Sequence, residues 1–499
     1  MRVYARRGMA ALFAALLVPA SSLADEGHRV VPVNPWMILP FVILLLAIAL
    51  MPFINRHWWE RRYPHVAGGL GLVGIIYYLF ILDNPGRMLA TGIEYVSFIA
   101  LIGSLFVVAG GIHIRIRGKS TPMANVFLLA VGAVVANIVG TTGASMILIR
   151  PYLRVNKYRI RPYHVVFFIF IVSNMGGALT PIGDPPLFLG YLKGIPFFWV
   201  LEQVWLPWLI AMAAILAIFF FVDRAGFKSL AVRKQHEVEE TPEEGEVSGL
   251  QNIVFLVVIL AAVFINSPPF MREVLMVAAA AASYYTTKPD IHRKNEFNFV
   301  PIKEVAILFA GIFATMVPAL DWLELNAGAI GIRSAGQFYW ACGLLSAALD
   351  NAPTYLNFLS AQYGLFTTPE AIRQVQEMVA SHGAGLGALS GPYAAEVKAA
   401  YLVLLRYHYE LVAGGAVPVD EIATAFLLGN HPLHVQAISL AAVFFGAATY
   451  IGNGPNFMVK SIAEHLGVEC PSFFGFVIRY TLPILLPVLI LIWFLFFRG

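Results

Sequence analysis

The chain has few charges and almost no cysteine. Only 12% of its 499 residues are charged, 33 Lys and Arg against 29 Asp and Glu, whereas 59% are hydrophobic. A soluble globular chain carries roughly a quarter of its residues as charged side chains, so this one lacks the polar surface that water requires. A net charge of +4, scattered along the chain, excludes the basic patch of a nucleic-acid binder. Two cysteines, Cys342 and Cys470, supply neither a disulfide framework nor a four-ligand zinc site. No HExxH or GxSxG constellation is present to suggest an enzyme. What remains is apolar length: at about 20 residues per helical span, the chain holds on the order of a dozen spans. It reads as an all-α polytopic membrane protein, with the lipid bilayer as its first partner.

Residues 1–24 read as a secretory signal peptide. Arg2, Arg6 and Arg7 precede the apolar run 9–18, and Ser22-Leu23-Ala24 offers small residues for cleavage before Asp25-Glu26. The run is shorter than the ~18 residues of a membrane span. Cleavage puts the mature N-terminus in the periplasm and the protein in a bacterial inner membrane.

Apolar runs recur at 36–54, 66–82, 91–112, 122–149, 163–192, 197–222, 250–266, 273–287, 304–321, 336–361, 434–457 and 473–497. Alternation from an external N-terminus places the loops 55–65 (Arg56, Arg61, Arg62) and 113–121 (Arg115, Arg117, Lys119) inside, in keeping with the cytoplasmic excess of Lys and Arg. Residues 150–161 break the pattern. They carry Arg150, Arg154, Lys157, Arg159 and Arg161, yet a single crossing through 122–149 would leave them outside. The conflict disappears if 122–149 is a re-entrant hairpin that enters from the cytoplasm, turns at Asn137-Ile138-Val139-Gly140-Thr141-Thr142-Gly143 and goes back. Then 163–192 crosses outward, 197–222 returns, and 223–249 is a cytoplasmic linker between a first repeat, 25–222, and a second, 250–499. In the second, 336–361 is a hairpin entered from the periplasm, 364–433 an external insertion, and 434–457 the returning helix. The second half is the first upside down.

That order predicts matching motifs, and one match needs no gap. Gly177-Ala178-Leu179-Thr180-Pro181-Ile182-Gly183-Asp184-Pro185-Pro186 lies on Gly446-Ala447-Ala448-Thr449-Tyr450-Ile451-Gly452-Asn453-Gly454-Pro455, with six of the ten pairs identical. At the hairpin tips the sequence sets Asn137 opposite Asn351, within Leu349-Asp350-Asn351-Ala352-Pro353-Thr354. In a lipid-exposed helix such clusters would leave backbone groups unsatisfied, at several kcal/mol each. Paired broken helices in inverted halves instead mark a transporter's ion and substrate site near the midplane, although any one of these motifs would also serve as a kink between packed helices.

Asn, Thr and Ser side chains and unwound carbonyls supply the oxygens that a small hard cation such as Na+ needs, while half-helix N-termini favour an anion. The motifs suit a cation, an anion or both. Asp184 and Asp350 are the only acidic residues in the paired motifs, and a carboxylate at membrane depth is expensive unless functional or paired. Each can bind Na+ when ionised or hold a proton when buried, the competition an antiporter needs. Each could equally cap a half-helix, since Asp184 precedes Pro185-Pro186. Neither motif contains an Arg to grip a carboxylate substrate.

At these motifs the chain resembles the ion transporter superfamily of secondary carriers, which includes citrate and dicarboxylate carriers, ArsB-type arsenite pumps and NhaD-type sodium/proton antiporters. The most specific stretch begins at Ser173-Asn174-Met175-Gly176 and runs on through Pro186; 349–354 and Thr449-Tyr450-Ile451-Gly452-Asn453-Gly454-Pro455-Asn456 support it. The resemblance implies two inverted repeats, each with a re-entrant hairpin and a discontinuous transmembrane helix, paired as a homodimer. It implies cation contacts at Asn137, Thr141, Thr142, Ser173, Asn174, Thr180, Asp350, Asn351, Thr354, Thr449 and Asn453; Asp184 and Asn456 complete the candidate set. The sequence departs from the family in two ways. Ala136 stands where NhaD-type chains carry an acid, and Met175 and Ala442-Val443 interrupt the dicarboxylate carriers' repeated Ser-Asn-Thr signature.

Other residues carry weaker signals. His431 and His434 near the external mouth, and His113 and His164 at the inner loops, are pH sensors or ordinary solvated side chains. Tryptophans near span ends, Trp208 among them, read as an aromatic belt. Lys193 meets an incoming anion or snorkels. The stretch 399–415 reads as an amphipathic helix on the membrane surface. The expected function is ion-coupled secondary transport by alternating access. Sodium/proton antiport through Asp184 and Asp350 leads, and Na+- or H+-coupled uptake of citrate or another carboxylate follows. A passive channel fits less well, because it needs no occluding hairpin pair. No cofactor beyond the transported ions is expected.

Overall fold

The computed structural model describes residues 30–115, 120–228, 246–265, 268–387 and 389–498. The expected signal peptide and most of the expected linker, residues 229–245, lie outside them. A 3-10 turn leads into α1 (Leu39–Ile54), α2 (Arg56–Ile76) and α3 (Pro85–Gly110). Strand β1 (His113–Arg115) pairs antiparallel with β2 (Glu246–Ser248). Between them lie α4 (Pro122–Val155), α5 (Pro162–Ile171), α6 (Pro185–Leu192) and α7 (Phe197–Lys228). The second half runs α8 (Asn252–Ala262), α9 (Met271–Thr286), α10 (Pro289–Lys294), α11 (Val300–Ile330), α12 (Ala335–Ala348) and α13 (Asn351–Phe366). It continues through α14 (Pro369–Ala380), α15 (Ala394–Tyr407), α16 (Tyr409–Ala413), α17 (Val419–Asn430), α18 (Pro432–Gly446) and α19 (Gly454–His465). The chain closes with α20 (Phe473–Phe476), a π-helical stretch Val477–Leu485, and α21 (Leu486–Phe496).

Among the described residues, eight helices are long and apolar enough to cross a membrane. The chain is an all-α multi-pass membrane protein. Several sequence boundaries shift. The loop expected at 55–65 is helical, because Asn55 accepts the Trp58 amide and starts α2 there. Helix α7 runs on past 222 to Lys228, and α19 past 457 to His465, where Lys460 and Glu464 pair one turn apart. The pair expected to cross at 250–266 and 273–287 is short: α8 and α9 have 11 and 16 residues, about 16 and 24 Å at 1.5 Å per residue, against an apolar core of ~30 Å.

Helix α4 reverses at Gly140, whose φ of 76° and ψ of 157° suit a residue without a side chain. A Cβ on Gly132 would lie 3.3 Å from Leu148 Cδ1; an unbroken helix would hold those residues about 24 Å apart. The open end is tied by Asn125 Nδ2, which donates to Asn156 Oδ1 at 2.8 Å. Helices α12 and α13 reverse likewise at the extended Leu349-Asp350, bringing the rings of Phe338 and Phe358 to 6.2 Å. The two hairpins open at opposite ends of α3. Arg150 of the first pairs with Glu296, and the neighbouring Asn295 amide donates to the Gly110 carbonyl at the C-terminal end of α3. Tyr363 of the second reaches Lys193 O, and Lys193 Nζ pairs with Glu94 in the N-terminal half of α3. That ion pair holds the lysine expected to greet an anion or snorkel.

Helices α5 and α18 form the centre. Residues 165–172 and 435–444 are buried on every side, as a helix apolar all round requires. The inner-loop histidines are not solvated: His113 and His164 are both buried. The stretch 399–415 is not a single helix with a free apolar face. Helix α15 ends at Tyr407, and its Val397, Ala400, Tyr401 and Leu404 pack with Val375 of α14 and Ile422 and Phe426 of α17. The apolar stripe was legible, and protein covers it.

Candidate functional site

Each broken helix is interrupted by the same turn. After α5 the chain passes through a 3-10 segment, Met175–Leu179, to Asp184, the N-cap of α6. After α18 it passes through 447–452 to Asn453, the N-cap of α19. A threonine organises each turn: the Gly183 amide donates to Thr180 Oγ1 and the Gly452 amide to Thr449 Oγ1, both at 3.1 Å. Two glycines touch in each. A Cβ on Gly183 would lie 2.0 Å from Gly177 O, and one on Gly452 2.6 Å from Gly446 O.

Each turn then holds a hairpin tip. Thr180 Oγ1 donates to Asn137 O and Thr449 Oγ1 to Ala347 O, both at 2.7 Å. The Thr141 amide donates to Gly183 O at 2.8 Å and the Asn351 amide to Gly452 O at 3.2 Å. This register corrects the tip pairing read from the sequence. Asn137 corresponds to Ala347, and the partner of Asn351 is Thr141, four residues further on. Backbone bonding to the turn sets the correspondence, and the shared asparagine does not.

At the meeting point lies Asp184, 1% exposed. Its Oδ1 accepts from Thr141 Oγ1 at 2.7 Å and Asn453 Nδ2 at 2.9 Å, and its Oδ2 from Asn351 Nδ2 at 2.6 Å. One carboxylate thus joins both hairpin tips and the opposite break. The network continues from Asn453 Nδ2 to Asn174 Oδ1 at 3.1 Å, and from Asn174 Nδ2 to Asn456 Oδ1 at 2.6 Å. Asn456 Nδ2 returns to the freed carbonyls of Gly446 and Thr449, both at 2.8 Å. Ser173 Oγ bonds Ser145 Oγ, and its carbonyl accepts from Asn453. Asn137 clamps the first turn, donating to Gly176 O and accepting from the Leu179 amide. Every side chain bonded to Asp184 is neutral.

Three candidates stand outside this network. Thr142 lines a cavity of about 30 Å³ beside Asp184, with Thr141, Gly183 and Phe188, space for a water-sized occupant. Asp350 caps α13 by accepting the Ala352 amide at 3.0 Å, and Thr354 Oγ1 donates to the Asp350 carbonyl. The two carboxylates therefore hold different posts: Asp184 gathers the donors and Asp350 starts a helix. Asn351 Oδ1 is buried without a partner, a spare oxygen on the residue that holds Asp184 Oδ2.

Some contributors carried no clear sequence signal. Trp208 Nε1 donates to the freed carbonyls of Met175 and Gly176, at 2.9 and 3.1 Å, and so braces the first break from within the protein; it is no belt residue. Arg159, counted as a loop charge, is buried and bonded to Asp223, which also accepts from Tyr163 and Asn125 and lies 3.1 Å from His164 Nε2. This cluster fastens the open end of the first hairpin to α7.

No curated protein matches the chain. A family model described as "Putative citrate transport" matches residues 31–497, a span that takes in both hairpins, both breaks and Asp184. The chain belongs to this citrate-transport family and is a multi-pass membrane transporter.

Proposed function

We propose that the protein is an ion-coupled secondary transporter of the bacterial inner membrane, built as two inverted repeats and working by alternating access, with sodium/proton antiport as its leading activity. One observation carries this reading: a buried carboxylate, Asp184, receives its donors from both hairpin tips and the opposite break, and none of those donors is basic. Such an arrangement leaves net negative charge for a cation. Ionised, Asp184 offers Na+ its oxygens beside the Thr141 and Thr142 hydroxyls, and Asn351 Oδ1 adds another. Protonated, it becomes a donor and needs an acceptor; Asn351 supplies one by turning its amide. The exchange alters what ties the second hairpin to the first break, and so couples occupancy to hairpin position. The basic loops assign the open end of the first hairpin to the cytoplasm.

The family description favours a second reading, in which the same cation site drives citrate uptake. The cavity beside Asp184 is too small for a tricarboxylate, and the carboxylate in its wall repels one. On this reading citrate is held elsewhere, after the cation has bound. Proteoliposomes containing a pH-sensitive dye separate the two. Antiport gives proton movement on addition of Na+ or Li+ alone, abolished in Asp184→Asn. Movement that requires citrate establishes the second reading, and movement that survives Asp184→Asn overturns the role of Asp184 in both.

A further inference from the structure

We propose that a cavity of about 540 Å³ enclosed by α1, α11 and the second hairpin binds a single-chain amphiphile whose head carries a hydroxyl or amide hydrogen-bond donor. The volume lies in the range of small-molecule sites, ~300–1,000 Å³. Apart from Thr354, Asn357 and the Trp322 indole, the wall is apolar, which excludes an ion or a carboxylate as the occupant. Asn357 gives the site its polarity. It is buried on the cavity wall, its Nδ2 donates to Pro353 O at 2.8 Å, and its Oδ1 is left buried with no partner. A buried acceptor without a donor is unfavourable, and a ligand that brings a donor relieves it. Thr354 already has a partner, its hydroxyl donating to Asp350 O, whereas Asn357 Oδ1 has none.

The mouth indicates where the ligand comes from. Val42 and Leu46 line the cavity and remain exposed on α1, a helix apolar enough to cross a membrane. Access is therefore from the hydrocarbon, which favours a chain dissolved in the bilayer. Leu349 and Thr354 on the same wall flank Asp350 and Asn351, so an occupant props the hairpin tip against α1 and α11. This site does not depend on which ion or substrate the transporter carries.

Photo-crosslinking of the full-length protein in nanodiscs tests the proposal, using a diazirine-bearing fatty alcohol and the matching alkane, with labelled peptides mapped by mass spectrometry. The alcohol is expected to label 319–332 and 345–365 above the exposed face of α9 at Val274 and Val277. Ala361→Phe and, separately, Ala327→Phe fill the cavity and remove that excess without changing α9. Asn357→Leu lowers the alcohol's excess about five- to tenfold, the worth of one hydrogen bond, and leaves the alkane's unchanged. Labelling no stronger than on α9, an excess that persists in either folded filling variant, or an Asn357→Leu effect equal for both probes overturns the proposal.

Discussion

At Thr180 and at Thr449 the same hydroxyl accepts a glycine amide at 3.1 Å and reaches a hairpin carbonyl at 2.7 Å, yet four residues on the first break carries Asp184 and the second Asn453. The frame is duplicated and the charge is not. The neutral copy serves the charged one, since Asn453 Nδ2 donates to Asp184. The tips divide in the same way: Thr141 and Asn351 occupy equivalent backbone positions, and both donate to Asp184. A second carboxylate at position 453 would place like charges within hydrogen-bonding distance. Two matching frames thus meet at one carboxylate that is hydrogen-bonded from both halves.

The largest effects come from altering that difference. Asp184→Asn makes both breaks neutral and is expected to abolish ion-driven proton movement while leaving thermal unfolding in detergent nearly unchanged. Asn453→Asp is expected to abolish movement too, but with a loss of about 3 kcal/mol from an uncompensated buried charge, read from the same unfolding scan. A tolerated Asn453→Asp would break the comparison. Next comes the shared frame. Gly183→Ala and Gly452→Ala both push a methyl into a carbonyl, and the 2.0 Å approach at Gly183 against 2.6 Å at Gly452 ranks the first as the more damaging, with each loss exceeding about 3 kcal/mol.

Smaller changes follow at the threonines. Thr180→Val removes two hydrogen bonds and is expected to cost about 2 kcal/mol, whereas Thr449→Val removes three, because the Ile451 amide also donates to Thr449 Oγ1, and is expected to cost about 3 kcal/mol, both read from unfolding measurements. The tips differ: Gly140→Ala meets a positive φ and is expected to cost about 1–2 kcal/mol, whereas Asp350→Ala loses only a helix cap, about 1 kcal/mol. Transport that falls as far in Asp350→Ala as in Asp184→Asn would make Asp350 a second coupling carboxylate.

The repeat at 177–186 and 446–455 was legible because glycine, threonine and proline are demanded by a turn whose two glycines touch, and such demands leave identical letters behind. The hairpin tips left weaker letters. Their correspondence rests on backbone bonds at Thr141 and Asn351, which any residue can make, so the eye settles on the asparagines at 137 and 351 and misplaces the register. Charge counting found the fold-back of α4 but misread Arg159, because a count of basic residues cannot tell a solvated guanidinium from one bonded to Asp223 across the bundle. The stripe of α15 was visible at helical spacing, but periodicity gives the apolar face and not what covers it.

The donors of Asp184 are delivered at very different times as the chain is made. Thr141 precedes it by 43 residues, whereas Asn351 follows by 167 and Asn453 by 269. A nascent first half thus enters the bilayer with its carboxylate missing two of three partners, and a carboxylate in that state stays near water or keeps a proton. Two of the three bonds to Asp184 thus await the second half. Halves divided within 229–245 and made together are expected to assemble, and the first half made alone to be cleared by membrane proteolysis.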